Sequence, residues 1–326
     1  MRHILAADIG GTNSRFGHFE LGEDGEPVCR KTVWLKTSAA ASFADLLEML
    51  DRSSLDLQPH QADIGVLAVA GAVDRGRFCR LTNASFAVDL KHAGLDNCLL
   101  VNDFVAQAQG SCTRDPAELH IIRPGNAVER AVRIAVGAGT GLGHCGLLPT
   151  GGPGRGAFIH IPSEAGHMGF PMCGTSEIDY QRFALDRTGL PYLNGDAVIS
   201  GSGLRLLHLY LTGRDLDSKL VAEEINEQSE TTVWFARFYA RACRQYALAL
   251  LSRGGVWVCG GIAAGNPFLV THPEFRREFD RCPAYGDMLH AIPLYLDRNR
   301  ESGLVGAAKV GKLVLQGLVD DPRSVR

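Results

Sequence analysis

Two aspartates close two apolar runs, and each stands where a carboxylate can meet a ligand. Asp8 follows HILAA and precedes Gly10, Gly11, Thr12 and Asn13 in DIGGTNSRFG. Asp103 follows NCLLVN, with Asn102 just before it, and leads into FVAQAQG. The end of a buried strand is where α/β folds place their sites. A carboxylate within hydrogen-bond reach of a hydroxyl can take its proton. One beside a phosphate-holding turn can instead face a magnesium ion, directly or through water. The plainer roles are a turn-capping aspartate at position 8 and a helix N-cap at position 103.

A second glycine turn recurs about 130 residues later in VGAGTGLG, with Gly137, Gly139, Thr140 and Gly141. Glycine admits positive φ and lets another group come close. Successive free N–H groups in such turns make an anion pocket. Thr12, Asn13 and Thr140 add side-chain donors. Two such turns facing each other would grip a polyphosphate from both sides. Neither matches GxxxxGK[ST], and neither is a GxGxxG that opens a helix, since the pattern after GAGTGLG continues as a strand. A further glycine pair, Gly260 and Gly261, ends the apolar run GVWVCGG.

The elements that must position these residues follow from periodicity. Residues 3–9, 14–20 and 28–36 read as successive strands, and ASFADLLEMLDR (41–52) has helical spacing. IGVLAVAG (64–71) and NCLLVND (97–103) read as buried strands, and a helix starts at 104. FAVDLKHAG (86–94) fits a short helix closed by Gly94. Strands at 133–139, 142–150 and 156–162 follow, then helices at 176–187, 201–212 and about 230–252. Strands at 255–261 and 291–297 and a helix over 302–317 complete the order. The tail from 320 is expected to be mobile. DIGGTNSRFGHFE and VGAGTGLGHCGLL each open a βββα pattern, an internal repeat that implies two related α/β domains. The hinges fall near 110 and 300, so the expected domains are 1–110 plus about 303–326, and 111–302. A ligand would sit in the cleft between them.

The totals bound the answer. A chain of 326 residues fits two domains, with 45% hydrophobic and 21% charged residues. A net charge of −3 argues against a strongly basic nucleic-acid-binding surface. No apolar run is long enough to span a membrane, and no signal peptide is read. Nine scattered cysteines without a CxxC are neither a disulfide framework nor a zinc ribbon, and point to a reducing cytoplasm. Cys173 and Cys282 are the expected exposed ones. His3, His18, His92, His120 and His208 have no acid or cysteine constellation in the sequence, and read as surface or satisfied core histidines.

In order along nearly the whole chain, DIGGTNSRF, LTNASF (81–86), VNDFVA (101–106), VGAGTGLG, SEAGHMGF (163–170), VISGSGL (198–204) and VCGGIA (258–263) resemble the bacterial glucokinase family. That family belongs to the sugar kinase, Hsp70 and actin superfamily. The resemblance implies an α/β fold of two ribonuclease-H-like (actin-like ATPase) domains with an interdomain cleft. It implies ATP-dependent phosphorylation of glucose at O6, with magnesium held near Asp8.

By resemblance Asp103 is the general base, and Asn102, Glu164 and His167 bind sugar hydroxyls. Gly10, Gly11, Thr12 and Asn13 hold phosphates on one side, and Gly137, Gly139, Thr140 and Gly141 on the other. Gly260 and Gly261 lie against the adenosine. Thr82 and Asn83 fall in the family's substrate-side loop, with Phe86 where Trp is common. A related kinase family carries a cysteine-rich zinc loop after its histidine. Here PMCGTSEI supplies only Cys173, so no zinc is expected. The resembled family is often dimeric, so a homodimer is one option, and the sequence itself does not give the oligomeric state.

One departure stands out. The family usually has a sugar-binding Glu before its VLSGPG-like stretch, and here Asp196 occupies that position. The lost methylene is about 1.5 Å of reach, and a 1 Å misplacement can cost on the order of a hundredfold. Either the loop shifts inward, a water intervenes, or the sugar preference differs. The last option keeps a kinase for fructose, mannose or an N-acetylated amino sugar as an alternative. A non-catalytic sugar-sensing regulator is remote, because the first strand at residue 3 leaves no room for an N-terminal helix-turn-helix. A phosphatase is disfavoured by VNDF with its Glu/His pair, which suits a hydroxyl acceptor.

Overall fold

A computed structural model describes residues 2–82, 84–150 and 157–319. Asn83 and the tail from 320 lie outside the described residues. The chain divides into two compact units: Met1–Thr113, Pro149–Pro162 and Arg300–Arg326 form the first, Arg114–Leu148 and Ser163–Asn299 the second.

The elements run β1 (His3–Ile9), β2 (Ser14–Leu21), β3 (Pro27–Leu35), α1 (Phe43–Asp51), β4 (Ile64–Val69), β5 (Val73–Asp74), β6 (Phe78–Arg80), β7 (Ala87–Asp89), β8 (Cys98–Asn102) and α2 (Asp103–Ser111). They continue with β9 (His120–Arg123), β10 (Arg133–Ala138), β11 (Leu142–Thr150), β12 (Ala157–Ser163), α3 (Gly174–Thr188), α4 (Gly195–Val198), α5 (Gly201–Thr212), α6 (Ser218–Glu224) and α7 (Glu230–Leu250). The last are β13 (Gly255–Cys259), α8 (Gly261–Gly265), α9 (Phe268–Thr271), α10 (Pro273–Asp280), α11 (Gly286–Ala291), β14 (Leu294–Leu296) and α12 (Ser302–Leu315).

Among the described residues the strands form three sheets, ordered β3-β2-β1-β4-β8, β12-β11-β10-β13-β14-β9 and β5-β6-β7. The two large sheets share one plan. A hairpin, β1–β2 or β10–β11, lies beside a strand parallel to its first arm, β4 or β13, and a further parallel strand, β8 or β14, follows. The internal repeat of the sequence is therefore a repeat of sheet topology. β4 is buried at every residue, as a central parallel strand covered on both faces must be.

Helices pack where their sequences leave an apolar stripe or no side chain at all. In α1 Ser42 caps Asp45 N–H at 3.1 Å, and Phe43, Leu46 and Leu50 form the buried stripe. α2 and α12 approach closely because glycine stands at the contact. A Cβ at Gly306 would overlap the Ala106 carbonyl oxygen, and one at Gly110 would overlap that of Ser302. This contact fixes the helix that begins at Asp103.

Two readings of local structure change. Residues 86–94 are not a helix but β7 and a turn, with Gly94 at φ 67°. Val88 and Leu90 are fully buried between more exposed neighbours, and Val88 pairs with Cys79 of β6. Alternating burial and a partner strand make this stretch extended. The strand expected over 291–297 is only Leu294–Leu296, because α11 runs to Ala291 and Pro293 has no N–H for a ladder.

Candidate active site

The first unit builds its part at the ends of β1 and β8. The β1–β2 hairpin closes at the Ile9–Ser14 pair, so Gly10, Gly11, Thr12 and Asn13 form its tip. Gly10 N–H donates to the Asn13 carbonyl at 3.1 Å, and Ser38 N–H to the Thr12 carbonyl at 3.3 Å. Beneath them the buried hydroxyls of Ser14 and Thr37 meet at 2.6 Å. Asp8 is the last residue but one of the same strand. Burial raises its carboxyl above the ordinary range, against the lowering effect of Arg15. The start of α12 lies on it, since a Cβ on Gly303 would stand 3.1 Å from Asp8 Oδ2.

At the end of β8 the cap of α2 is Asn102, not Asp103. Asn102 Oδ1 accepts Phe104 N–H at 2.8 Å, and its Nδ2 donates to the Gly71 carbonyl at 3.2 Å. Asp103 is the first helical residue, with Oδ1 2.9 Å from Phe104 N. The residue that leaves the strand must have extended backbone, and Asn102 has it at φ −61°, ψ 144°. Thr82 turns back on β4, its Oγ1 donating to the Ala70 carbonyl at 3.0 Å.

The second unit gathers three separated motifs at one place. The β10–β11 hairpin closes at the Ala138–Leu142 pair, leaving Gly139, Thr140 and Gly141 as its tip. Gly139 N–H donates to the Gly141 carbonyl at 2.8 Å, and Gly201 N–H at the start of α5 donates to the Gly139 carbonyl at 3.0 Å. Asp196 Oδ1 accepts Leu142 N–H at 2.7 Å. A Cβ on Gly141 would overlap that carboxylate, and one on Gly166 would overlap the Leu142 carbonyl oxygen. The SEAGH turn therefore lies against the base of the glycine turn. On it Glu164 Oε2 and His167 Nε2 stand 3.9 Å apart, both side chains largely exposed. Tyr192 OH holds the turn by donating to the His167 carbonyl at 3.1 Å.

The glycines serve differently from the sequence expectation. Among the described residues neither Gly10, Gly11, Gly137, Gly139 nor Gly141 has positive φ, whereas Gly260 does, at 89°. A Cβ there would stand 2.5 Å from the Ala138 carbonyl oxygen, so β13 leaves its strand hard against β10. At Gly139 and Gly261 a Cβ would meet nothing within 4 Å. Those two positions leave room for another group to come to the backbone.

Sequence reasoning missed the supports of the second unit. The Tyr239 hydroxyl, fully buried on α7, accepts Ala138 N–H at 2.9 Å and donates to the Cys259 carbonyl at 3.1 Å. It ties together the strand ends that precede Gly139 and Gly260. Arg241, also fully buried, bonds both carboxylate oxygens of Glu177 at 2.5 and 3.0 Å, Glu278 Oε1 at 2.8 Å and the Pro171 carbonyl at 3.0 Å. Glu177 Oε2 in turn accepts Cys173 N–H at 2.7 Å. This network anchors the chain just after the SEAGH turn. Its only signal in the sequence was a helix carrying arginine and tyrosine at spacings that face inward.

Among the described residues none of the nine cysteines forms a disulfide. Cys173 and Cys29 are exposed, while Cys282 is half-buried. No helix of the described residues is long and apolar enough to cross a membrane.

Residues 5–313 match the family described as Glucokinase. The glucokinase of Caulobacter sp. (strain K31) is 31% identical over 320 residues, covering 93% of each chain. That of Sinorhizobium medicae (strain WSM419) is 28% identical over 322 residues, covering 94% of this chain and 91% of its own. Among solved structures, glucokinase from an Antarctic psychrotroph is similar at a TM-score of 0.76 and 23% identity, covering 95% of this chain and 98% of that one. Glucokinase from Balamuthia mandrillaris in complex with glucose is similar at 0.76 and 20% identity, covering 95% and 93%.

Proposed function

Since the chain belongs to the glucokinase family and phosphorylates glucose with ATP, we propose how its residues divide that work. Asp103 takes the proton of the sugar's 6-hydroxyl as that oxygen bonds to the γ-phosphorus of ATP and ADP leaves. Asn102, Glu164 and His167 hold the other hydroxyls. The tips Gly10–Asn13 and Gly139–Gly141 hold the phosphates, and Gly260 and Gly261 border the adenosine. The observation that carries this reading is the repeated hairpin tip at the same place in two sheets of one plan, with Asp103 at a third strand end.

Magnesium fits the residues present. Asp8 offers a hard oxygen donor at the end of β1, next to the first tip. When bound, the ion would neutralise charge on the phosphate oxygens. Asp196 is the residue whose role shifts most. With one oxygen on Leu142 N–H it braces the second tip, and it reaches the sugar only through its remaining oxygen or a water. The nine free thiols suit a cytoplasmic enzyme.

The test is ADP release from Mg–ATP with glucose, mannose, fructose, galactose and N-acetylglucosamine, on wild type and Asp103→Ala. Glucose should be the strong substrate. The variant should keep glucose binding within about tenfold and lose at least about 10²-fold in turnover. Near-normal turnover in the variant would remove Asp103 as the base.

A further inference from the structure

At the end of β1 opposite the Gly10–Asn13 tip, three side chains that are unremarkable in the sequence come together. The hairpin register pairs His3 with Glu20 and Leu5 with His18. Side chains two apart on a strand share a face, so His18 and Glu20 project together and His3 projects beside them. His3 Nδ1 lies 3.0 Å from His18 Nε2 and 3.7 Å from Glu20 Oε1, and His18 Nε2 lies 3.9 Å from the same oxygen. The reading of His3 and His18 as histidines without an acid nearby is therefore corrected by the fold.

From this arrangement we propose that His3, His18 and Glu20 form a binding site for a zinc-class divalent cation, separate from the kinase centre. Three observations support it. The first is spacing. Ligands bonded at about 2.0–2.1 Å to one tetrahedral ion lie about 3.3 Å apart, and the three observed separations straddle that value. Sub-ångström shifts of side chains would bring all three atoms to one ion.

The second is orientation from behind. His18 Nδ1 is 2.9 Å from Asp56 Oδ1. A carboxylate on the far nitrogen holds Nδ1 as the donor and leaves Nε2, the atom facing the cluster, with its lone pair. Glu20 is held in the same way. Its Oε2 accepts from Arg30 Nε at 2.6 Å, which turns Oε1 toward the histidines. The third is anchoring. His3 N–H donates to Asp63 Oδ2 at 2.6 Å, its carbonyl accepts Asp63 N–H at 3.0 Å, and Leu21 N–H donates to the Arg2 carbonyl at 3.1 Å. The first ligand sits near the chain start yet on a tied strand.

His18 is buried, while the His3 side chain is 37% exposed. A water thus has access to the fourth position. Two imidazoles and one carboxylate suit zinc, cobalt or nickel rather than magnesium or calcium, which prefer all-oxygen sites. β1 spans His3–Ile9, so at about 3.3 Å per residue the cluster lies roughly 20 Å from the first glycine tip. It departs from the expectation of no zinc, which rested on the cysteine pattern and on the His167–Cys173 loop.

The test uses the full chain after chelator dialysis, in a Cys29→Ser, Cys173→Ser background that removes the exposed thiols. Zinc is titrated calorimetrically, and cobalt by its visible absorption, into this protein and into its His3→Asn and Glu20→Gln variants. The expected result is one ion per chain, an affinity at least about tenfold weaker in each variant, and a thermal midpoint raised by zinc only where the site is whole. Glucose phosphorylation with Mg–ATP should be equal in all. His3→Asn keeps the main-chain bonds to Asp63, so a zinc-free melt equal to the parent's separates lost binding from lost folding. Zinc binding that is absent, or equal in the parent and both variants, would overturn the proposal.

Discussion

The two glycine tips have one topology on different supports. In the first unit the support is close approach of backbone. α12 meets α2 at Gly306 and Gly110, meets Asp8 at Gly303, and meets β1 at Gly311, where a Cβ would stand 2.8 Å from Ile4 Cγ2. In the second unit it is buried polar bonding. Tyr239 clamps two strand ends, Asp196 holds Leu142 N–H, and Arg241 joins Glu177 to Glu278. The carboxylates differ accordingly. Asp8 comes from the strand that enters its own tip, whereas Asp196 arrives from a helix 54 residues beyond the amide it holds. One topology has thus been stiffened twice by different physics. At α12 the first unit is sensitive to added atoms, and at Tyr239 and Arg241 the second is sensitive to removed ones.

Arg241→Ala should have the largest effect. Two buried carboxylates would lose their one fully buried partner, with Arg244 left to Glu278 and Arg237 to Glu177, and breaking such a pair costs about 3–5 kcal/mol. Urea unfolding should show that loss. The triple change Arg241→Met, Glu177→Gln, Glu278→Gln should regain part of it, because the fully buried charges go together while Arg244 and Arg237 each lose one ion partner. A single-variant loss below about 1 kcal/mol would mean that the network is solvated and the contrast between units is wrong.

Next is Gly306→Ala. In an exposed helix this change gains about 1 kcal/mol. Here the added methyl overlaps the Ala106 carbonyl oxygen, and the helices must part. A destabilisation of about 3 kcal/mol is expected, together with reduced turnover, since α2 carries Asp103. A stabilised variant would show that α12 can slide, and that close approach is not what holds the first unit.

The smallest effect is the pH dependence that His144 lends the second unit. His144 is buried, its ring 4.3 Å from that of Tyr246, and neither ring nitrogen has a hydrogen-bond partner among the described residues. Burial lowers its pKa from 6.5 to about 4. The unfolded chain takes the proton below pH 6.5 and the folded chain only near pH 4, so folding stability falls as pH drops through that window. Between pH 7 and 5 the loss is about 2 kcal/mol. His144→Phe should flatten the corresponding part of the urea-midpoint profile. An unchanged slope would assign the acid sensitivity elsewhere.

Much of the candidate site's local structure was legible because its parts are local. A glycine turn between two apolar strands declares itself in consecutive residues, and VNDF marks a strand end by itself. The same locality misled at 86–94, where nine residues fit a helix until Cys79 supplied Val88 with a pairing partner. At Asp103 the plainer role of helix cap went to Asn102, because that residue sits at the bend. Asp196 was found by its place before SGSG, yet its bond to Leu142 lay beyond any sequence window.

The chain's own order of residues was enough to establish strand, turn and repeat, since hydrophobic period and glycine placement act between near neighbours. It also established which carboxylates end strands. Which groups meet across the fold was decided only when the sheets formed. The 2-residue period of a strand brings distant side chains to one face according to register, and register belongs to the pair of strands rather than to either alone. That is why His3, His18 and Glu20 converge; Arg241 on α7 finds Glu177 on α3 across 64 residues by helix packing instead, and nothing local announces either meeting.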